Sequence, residues 1–337
     1  MLFRSTAACA KVILGAGARL VMSEVNRDTT SEAAVAFMRE LGAEVFLGEG
    51  SCLRVLERKP RLLADCGFVL TEAYLGQRAD YVFAGSEITT SGISRLSEVS
   101  PVPLPVININ DGQIKSFVEN FHGVGDGLVD ALFQLTGRMW SGRSAAVFGY
   151  GRVGAGVAHY LKREGAEVAI AEIDPVRQLI AHYDGFALTT ARQALQECQL
   201  VVTATGREAV IGAADWAEVS DGAIIVNVGH WAQEVDVPAL RKLAVSQRKV
   251  ALHMEEFTLP GKQKIFLVGG GSPANVVLLS GSPEPTLIHL TTEVLCMNYL
   301  TEVEARGEKL VAGQIAVPPS VERQASTLAL RALGLSG

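Results

Sequence analysis

Short apolar runs alternate with amphipathic stretches from Ser144 onward, and glycine or polar residues close each run. Short runs that are apolar throughout are typical of strands buried in a parallel sheet, and the stretches between them have helical spacing. The alternation predicts an α/β fold with a doubly wound parallel sheet, covered by helices on both faces. Its strands are predicted at 145–148, 168–172, 200–205 and 223–228.

The chain before Ser144 predicts a second, smaller α/β unit. A helical segment at 31–41 lies among strand-like segments. Pro101, Pro103 and Pro105 form an extended connector, because proline fixes φ and disfavours a helix before it. The strand-like segments are 17–22, 43–47, 62–65 and 81–84.

Two further helical stretches mark the passages between these units. Residues 116–136 lead into the doubly wound unit, and residues 286–299 are expected to fold back onto the first unit. The sequence therefore predicts a Rossmann domain at 116–283, inserted in a smaller α/β substrate domain formed by 1–115 and 284–337.

A glycine-rich turn follows the first strand of the doubly wound unit. In the spacing of Gly149, Gly151 and Gly154, the first glycine permits a tight turn, the second admits a pyrophosphate and the third lets the helix pack on the strand. Glu172 ends the next strand, where a carboxylate binds ribose hydroxyls and repels a 2′-phosphate. The pattern predicts NAD rather than NADP, against the alternative of ordinary turn glycines and a surface glutamate. The residues predicted to hold the cofactor here are Gly149, Gly151, Arg152, Val153, Gly154 and Glu172.

Composition and charge exclude several classes of protein. The chain has 337 residues, 48% of them hydrophobic, and a formal charge of −6 without a basic block, so nucleic acid is not an expected partner. Apolar runs are strand-sized, so we expect no membrane span, and Lys11 interrupts the signal-like start, which favours the cytoplasm. The scattered cysteines and isolated histidines match no disulfide framework or metal site.

Several stretches resemble the S-adenosylhomocysteine hydrolase family. The resemblance implies a tightly held NAD that oxidises a ribose 3′-hydroxyl, which acidifies the neighbouring C–H and allows the 5′-thiol to leave. Water then adds, and the hydride returns to the sugar. The similar stretches are 106–111, 115–123, 147–156, 172–175, 203–206, 227–230 and 234–236.

The resemblance also implies a catalytic set. Asp65 falls where the family has an acidic proton-handling residue, and Asn120 where it has an asparagine beside the reacting sugar. Glu119 replaces the family's aspartate. His230 matches a histidine at the carboxyl end of a strand, where doubly wound sheets bind ligands, although an isolated histidine is more often structural.

Further cofactor residues are implied in the same way. Thr89, Thr90 and Ser91 match a cluster of hydroxyls that reaches the nicotinamide, with a helix N-cap as the alternative. The remaining positions that match cofactor residues are Thr205, Gly206, Asn227, Gly229 and Asn275.

The substrate side departs from the family pattern. Phe117 stands where the lysine that polarises the oxidised hydroxyl is expected, and Lys115, two residues away on a helix, is expected to face another direction. Ile88 replaces an adenine-binding glutamate. The segment 48–63 is shorter than its family counterpart, and the chain ends at residue 337 without the family's basic tail, which predicts a wider site and a less enclosed cofactor.

Three hypotheses follow. The first is an NAD-dependent enzyme that transiently oxidises a hydroxyl of a changed, nucleoside-like substrate. The second is a true adenosylhomocysteinase, in which Lys115 serves from an irregular first turn of its helix. The third is an inactive NAD-binding regulator. The apolar stretch at 286–299 and the resemblance suggest a homodimer.

Overall fold

The chain passes through two folding units and returns to the first near its carboxyl end. A computed structural model describes residues 4–24, 30–229 and 232–335. One unit comprises Met1–Glu119 and Pro283–Gly337, and the other comprises Asn120–Ser282. Within the described ranges, no helix is both long and apolar enough to cross a membrane, and no three histidine, cysteine or acidic side chains are grouped to hold a metal ion.

Short strands form the sheets of both units. They are β1 (Val21–Ser23), β2 (Glu44–Phe46), β3 (Leu62–Asp65), β4 (Ala84–Glu87), β5 (Pro105–Asn108), β6 (Ser144–Phe148), β7 (Glu167–Ala171), β8 (Ala187–Leu188), β9 (Leu200–Thr203), β10 (Ala223–Asn227), β11 (Ser246–Ala251), β12 (Met254–Thr258), β13 (Lys264–Val268) and β14 (Gly313–Ala316).

Helices connect and cover these strands. They are α1 (Arg4–Gly15), α2 (Glu32–Glu40), α3 (Ser51–Leu56), α4 (Val69–Gly76), α5 (Thr90–Glu98), a π-helix (Ile114–Gly123), α6 (Val124–Thr136), α7 (Arg152–Arg163), α8 (Pro175–Tyr183), α9 (Ala191–Glu197), α10 (Val237–Leu243), α11 (Ala274–Val277), α12 (Pro283–Ala305) and α13 (Pro319–Ala332). Short 3₁₀ turns lie at Trp216–Glu218, Ala232–Glu234 and Gly269–Gly271.

The second unit has the predicted doubly wound sheet. Its strand order is β11-β12-β13-β10-β9-β6-β7-β8. The strands from β13 to β8 are parallel, and β11 and β12 form an antiparallel edge that the sequence pattern did not predict. Numbered along the chain, the parallel strands have the 3-2-1-4-5-6 order of dinucleotide-binding folds, and the order reverses between β6 and β9. The α/β prediction is confirmed.

The core of this unit lies on both faces of the sheet. Along β6, Ala145 and Val147 pack on one side, and Ala146 and Phe148 pack on the other, because successive strand side chains point to opposite faces. A strand covered on both sides needs apolar residues throughout, which explains why the apolar runs located β6, β7, β9 and β10 to within one or two residues at most ends.

The first unit contains a parallel sheet in the order β14-β5-β4-β3 and a separate parallel pair, β1 with β2. Val106 and Ile107 of β5 face two different apolar clusters, so this sheet is also covered on both sides. Helix α12 buries Cys296, Leu300 and Val303. The prediction of a helix at 286–299 is confirmed by α12, and the apolar face of this helix packs inside the first unit.

One strand of the first unit is displaced from its prediction. The apolar segment at 81–84 precedes β4, which begins only at Ala84 and continues through Gly85, Ser86 and Glu87. These residues are buried although two are polar, so hydropathy does not reveal them. Because β3, β4 and β5 are parallel, their carboxyl ends share one edge of the sheet, and Asp65 and Glu87 lie there.

Candidate functional site

The glycine-rich turn between β6 and α7 has the geometry of a phosphate cradle. Gly149 has φ of +90°, which favours glycine. A Cβ at Gly154 would lie 2.1 Å from the carbonyl oxygen of Gly149, so only glycine allows this close packing. At Gly151 the nearest atom to an added Cβ is Arg177 Nη1 at 3.8 Å. The space beside Gly151 and the start of α7 therefore suit an anionic group.

Glu172 lies directly after β7 and is held as a carboxylate beside this turn. Its Oε2 accepts a hydrogen bond from the Tyr150 N–H at 2.7 Å, and its Oε1 accepts from Ile173 at 2.7 Å and Asp174 at 3.0 Å. Burial alone raises its pKa, but the N–H groups of Asp174, Tyr150 and Ile173 lower it overall. The anion is thus ready to accept hydrogen bonds from ribose hydroxyls.

A buried glutamate shapes the carboxyl ends of β9 and β10. Glu234 Oε2 accepts from the Thr205 N–H at 3.0 Å and its hydroxyl at 2.9 Å, and Oε1 accepts from the Gly206 N–H at 2.7 Å. Burial raises the pKa of Glu234. A Cβ at Gly229 would lie 1.4 Å from Glu234 Oε1, which requires glycine there. Sequence reasoning assigned Glu234 no role, although it occurs in a stretch that resembles the family.

Asn227 forms hydrogen bonds at the same carboxyl ends of β9 and β10. Its Nδ2 donates to the Gly271 carbonyl at 2.9 Å, and its Oδ1 accepts from the Gly229 N–H at 2.8 Å and the Thr203 hydroxyl at 3.2 Å. These bonds give Asn227 a clear role in shaping the loop. A direct contact between its side chain and the cofactor stays a prediction.

Asn275 presents an open acceptor in the second unit. Its Oδ1 is buried and has no hydrogen-bond partner among the described residues. The turn at Gly151 fits a pyrophosphate, the Glu172 carboxylate fits ribose hydroxyls, and the Asn275 oxygen fits an amide N–H. Together they fit a dinucleotide. His230 lies outside the described residues, so its assignment stays a prediction.

Alanine substitutions separate the two functions of the glycine-rich turn, which are close packing at Gly154 and cofactor binding at Gly151. Gly154→Ala should lower stability by about 1 to 3 kcal/mol, because its Cβ meets the backbone of Gly149. Gly151→Ala has open space, so it should leave the melting temperature unchanged and weaken NAD binding only. Calorimetric melting and NAD titration check this, with Gly76→Ala in α4 as a control. Equal NAD affinity of Gly151→Ala and the unaltered protein would contradict the cradle.

In the first unit, Asp65 at the end of β3 is fully engaged by backbone groups. Its Oδ1 accepts from Cys66 at 2.8 Å and from Val69 and Leu70 at 3.2 Å each, and Oδ2 accepts from Thr71 at 2.8 Å. Asp65 therefore caps the first turn of α4. Its predicted proton-handling role remains untested.

Glu87 at the end of β4 is a second buried carboxyl that sequence reasoning missed. Its Oε1 accepts from the Gly67 N–H at 3.1 Å and from both the N–H and the hydroxyl of Thr89 at 2.7 Å, and Oε2 accepts from Phe68 at 2.8 Å. Burial and the Asp65 charge raise its pKa. A polar residue at the carboxyl end of a strand is the signal that could have found it.

The predicted hydroxyl cluster begins helix α5. Thr89 is the N-cap, and its hydroxyl accepts from the Gly92 N–H at 3.0 Å. Thr90 donates to Asn110 Oδ1 at 3.0 Å, and Ser91 donates to the Thr89 hydroxyl at 3.3 Å. The N-cap alternative is thus what the structure shows for Thr89, and contact of this cluster with the nicotinamide stays a prediction.

The π-helix places Lys115, rather than Phe117, beside Glu119. The Lys115 ammonium donates to Glu119 Oε2, and the two side chains are only 11% and 13% exposed. Phe117 is 41% exposed. Lys115 and Phe117 therefore face different directions, as expected, and it is Lys115 that shares a helix face with Glu119, four residues later. Asn120 is buried and begins the second unit.

Two residues of α12, His289 and Glu293, complete this polar cluster, and sequence reasoning assigned neither. Burial lowers the pKa of His289 to about 3, and the Lys115 ammonium acts in the same direction. Burial raises the pKa of Glu293 to about 7, and the Glu87 charge adds to the effect. Two polar residues four apart in a mainly apolar helical segment were the signal in the sequence that could have indicated a functional role.

The raised pKa of Glu293 predicts a pH-dependent stability. The folded state favours the neutral carboxyl, so this contribution is complete below the ordinary pKa of 4.5 and is lost as pH rises through about 7. Glu293→Gln should therefore melt a few °C above the unaltered protein at about pH 8 and at the same temperature at about pH 4. In a protein of this size, a gain of about 1 kcal/mol in the free energy of unfolding raises the melting temperature by roughly 2–4 °C. Exposed Glu302→Gln in the same helix is the control. A gain independent of pH would contradict this assignment.

Comparisons with known proteins agree with the Rossmann geometry. Residues 120–280 match the family model described as S-adenosyl-L-homocysteine hydrolase, NAD binding domain. Adenosylhomocysteinase of Aeropyrum pernix is 31% identical, over 91% of this chain and 78% of that protein. S-inosyl-L-homocysteine hydrolase of Methanococcus maripaludis is 29% identical, over 98% and 82%.

Solved structures share the fold at low sequence identity. NADPH-dependent glyoxylate/hydroxypyruvate reductase from Sinorhizobium meliloti aligns with a TM-score of 0.51 at 16% identity, over 87% of this chain and 96% of that one. A 2-hydroxyacid dehydrogenase from Ketogulonicigenium vulgare aligns with a TM-score of 0.50 at 16% identity, over 89% and 99%. These likenesses show the fold alone. With the family match, the predicted cofactor is confirmed: the second unit binds NAD.

Proposed function

We propose, because this chain belongs to the adenosylhomocysteinase family, that it is an NAD-dependent enzyme that transiently oxidises a hydroxyl of a nucleoside-like thioether. The observation that carries the proposal is the largely buried ion pair of Lys115 and Glu119. An inactive NAD-binding protein has no chemical need for a buried ammonium, which is costly to remove from water.

Lys115 suits the oxidation of a hydroxyl. When bound, NAD supplies the hydride acceptor. As the hydroxyl loses its proton, which passes by way of Lys115 to the Glu119 carboxylate, negative charge develops on the substrate oxygen. The largely buried ammonium stabilises this alkoxide more strongly than it would in water, and the alkoxide becomes a carbonyl as its carbon gives up the hydride. Glu119 orients the ammonium, and it is a carboxylate because the Lys115 charge lowers its pKa overall, although burial acts in the opposite direction. The pair thus performs the polarising function that sequence reasoning considered lost at Phe117.

The base of the substrate is the part that we propose to differ from adenine. Ile88, at the position that the resemblance assigns to adenine recognition, packs against the apolar cluster around Ala84 and Ile107. A side chain without polar atoms cannot pair with an exocyclic amine. Relatives of comparable identity carry names with different bases, adenosylhomocysteinase of Aeropyrum pernix and S-inosyl-L-homocysteine hydrolase of Methanococcus maripaludis, so a second purine has a precedent among them.

Turnover by the holoenzyme tests this function. The protein is incubated with S-adenosylhomocysteine and S-inosylhomocysteine, and free thiol and reduced nicotinamide are followed together. We expect thiol release from a nucleosyl thioether, with the adenosyl compound the poorer substrate. Preference for the adenosyl compound would identify a strict adenosylhomocysteinase, whereas no thiol and no nicotinamide reduction with either would favour the regulator hypothesis.

We also infer that the enzyme acts as a homodimer in the cytoplasm. The apolar face of α12, on which the sequence argument relied, is used inside the first unit. Support comes instead from α8 and the turn before it, which expose a row of large apolar side chains. Light scattering at micromolar concentration checks the dimer. The exposed row comprises Ile173, Val176, Leu179, Ile180 and Tyr183.

A further inference from the structure

His289 is a buried histidine whose polar atoms lack hydrogen-bond partners. His289 is 4% exposed, and neither Nδ1 nor Nε2 of its ring has a hydrogen-bond partner among the described residues. Most buried side-chain polar atoms in proteins are hydrogen-bonded, because a buried polar atom without a partner lowers the stability of the folded state. An unpaired imidazole inside a polar cluster therefore points to a ligand that supplies the missing bonds.

The surroundings of His289 determine what that ligand can be. Lys115 and Glu119 act on the ring from the π-helix, and Glu293 lies one turn further along α12. The backbone of Pro285, one turn earlier, approaches the ring and raises its pKa slightly, but it makes no hydrogen bond of good geometry with either nitrogen. With a pKa of about 3, the ring is neutral and offers one donor and one acceptor. A neutral group with both hydrogen-bonding properties, such as a hydroxyl, fits this ring.

We propose that a ring nitrogen of His289 hydrogen-bonds the ribose 2′-hydroxyl, next to the 3′-hydroxyl that Lys115 polarises. This assignment rests on the proposed function. Lys115 contributes charge at the oxygen that is oxidised, whereas His289 recognises its neighbour and sets the orientation of the sugar. His289 is then a specificity residue that selects ribose over 2-deoxyribose.

Two variants of α12 separate this role from a structural one. His289→Leu removes the unpaired polar ring but keeps an apolar side chain in its place. Cys296→Ala removes a fully buried side chain from the apolar core of the same helix. We expect the melting temperature of NAD-loaded His289→Leu to equal or exceed that of the unaltered protein, whereas Cys296→Ala should melt lower because it leaves a cavity.

Nucleoside binding to the holoenzyme supplies the functional measurement. Adenosine, inosine and their 2′-deoxy forms are titrated calorimetrically into the unaltered protein and both variants. The unaltered protein and Cys296→Ala should bind the ribonucleosides about tenfold more tightly than the deoxy forms, the factor for one hydrogen bond of roughly 1.4 kcal/mol. For His289→Leu that ratio should fall to about one.

The outcomes distinguish the two proposals. An unchanged ratio in His289→Leu overturns the role of His289 and leaves the proposed function intact. A lower melting temperature for His289→Leu, comparable with Cys296→Ala, also overturns it, because the ring would then be a structural element. An unaltered holoenzyme that binds none of the nucleosides overturns the proposed function together with the ligand assigned to His289.

Discussion

Replacing Lys115 by methionine should slow substrate oxidation by roughly two to four orders of magnitude, the contribution typical of a positioned acid or base. The lysine is buried against Glu119, so it acts in a water-poor environment where its charge has a large effect. Nicotinamide absorbance after mixing the holoenzyme with a nucleosyl thioether measures the rate. NAD content should not change, because Lys115 belongs to the first unit and the NAD-binding domain is the second.

Lys115→Met leaves Glu119 buried without this cation, and losing one partner of a buried pair destabilises a protein by about 3–5 kcal/mol. The double variant Lys115→Met with Glu119→Gln removes both charges, so it should recover much of the stability but none of the rate. Phe117→Lys is the second control. Its side chain is 41% exposed and lies outside the buried pair, so we expect no gain in rate. A double variant that is both stable and fully active would refute the role of Lys115.

Glu172→Ala should weaken NAD binding by about 1.5 to 3 kcal/mol, the cost of losing a charged hydrogen-bond partner. The variant should also discriminate less between NAD and NADP, since the carboxylate that repels a 2′-phosphate is gone. Titration of the cofactor-free protein with both nucleotides gives the two dissociation constants.

Asp174→Ala is the matched control for Glu172→Ala. Asp174 is a half-buried acid two residues away whose Oδ1 caps α8 by accepting from the Val176 N–H at 2.8 Å. Its removal should cost stability, by about 0.5–2 kcal/mol for a lost N-cap, and leave both nucleotide affinities unchanged. If Glu172→Ala bound NAD and NADP as the unaltered protein does, the ribose assignment would be wrong.

The sequence by itself determined the NAD-binding half of this protein. Strands that are covered on both faces require apolar residues at every position, and a pyrophosphate requires glycines at fixed spacing, so both leave a local pattern. The prediction at 145–148 accordingly corresponds to β6 at Ser144–Phe148, and Glu172 follows β7 directly. These features depend on neighbours in the chain, which a sequence displays.

Only the tertiary structure decided which residues form the polar cluster of the first unit. Lys115 faces Glu119 in a π-helix whose geometry hydropathy does not predict, and His289 comes from a helix far along the chain. Glu87 is likewise buried at a strand end because backbone N–H groups of a separate loop satisfy it. Burial of polar groups is stable only when distant segments supply partners or a ligand does, and that condition is a property of packing rather than of sequence pattern.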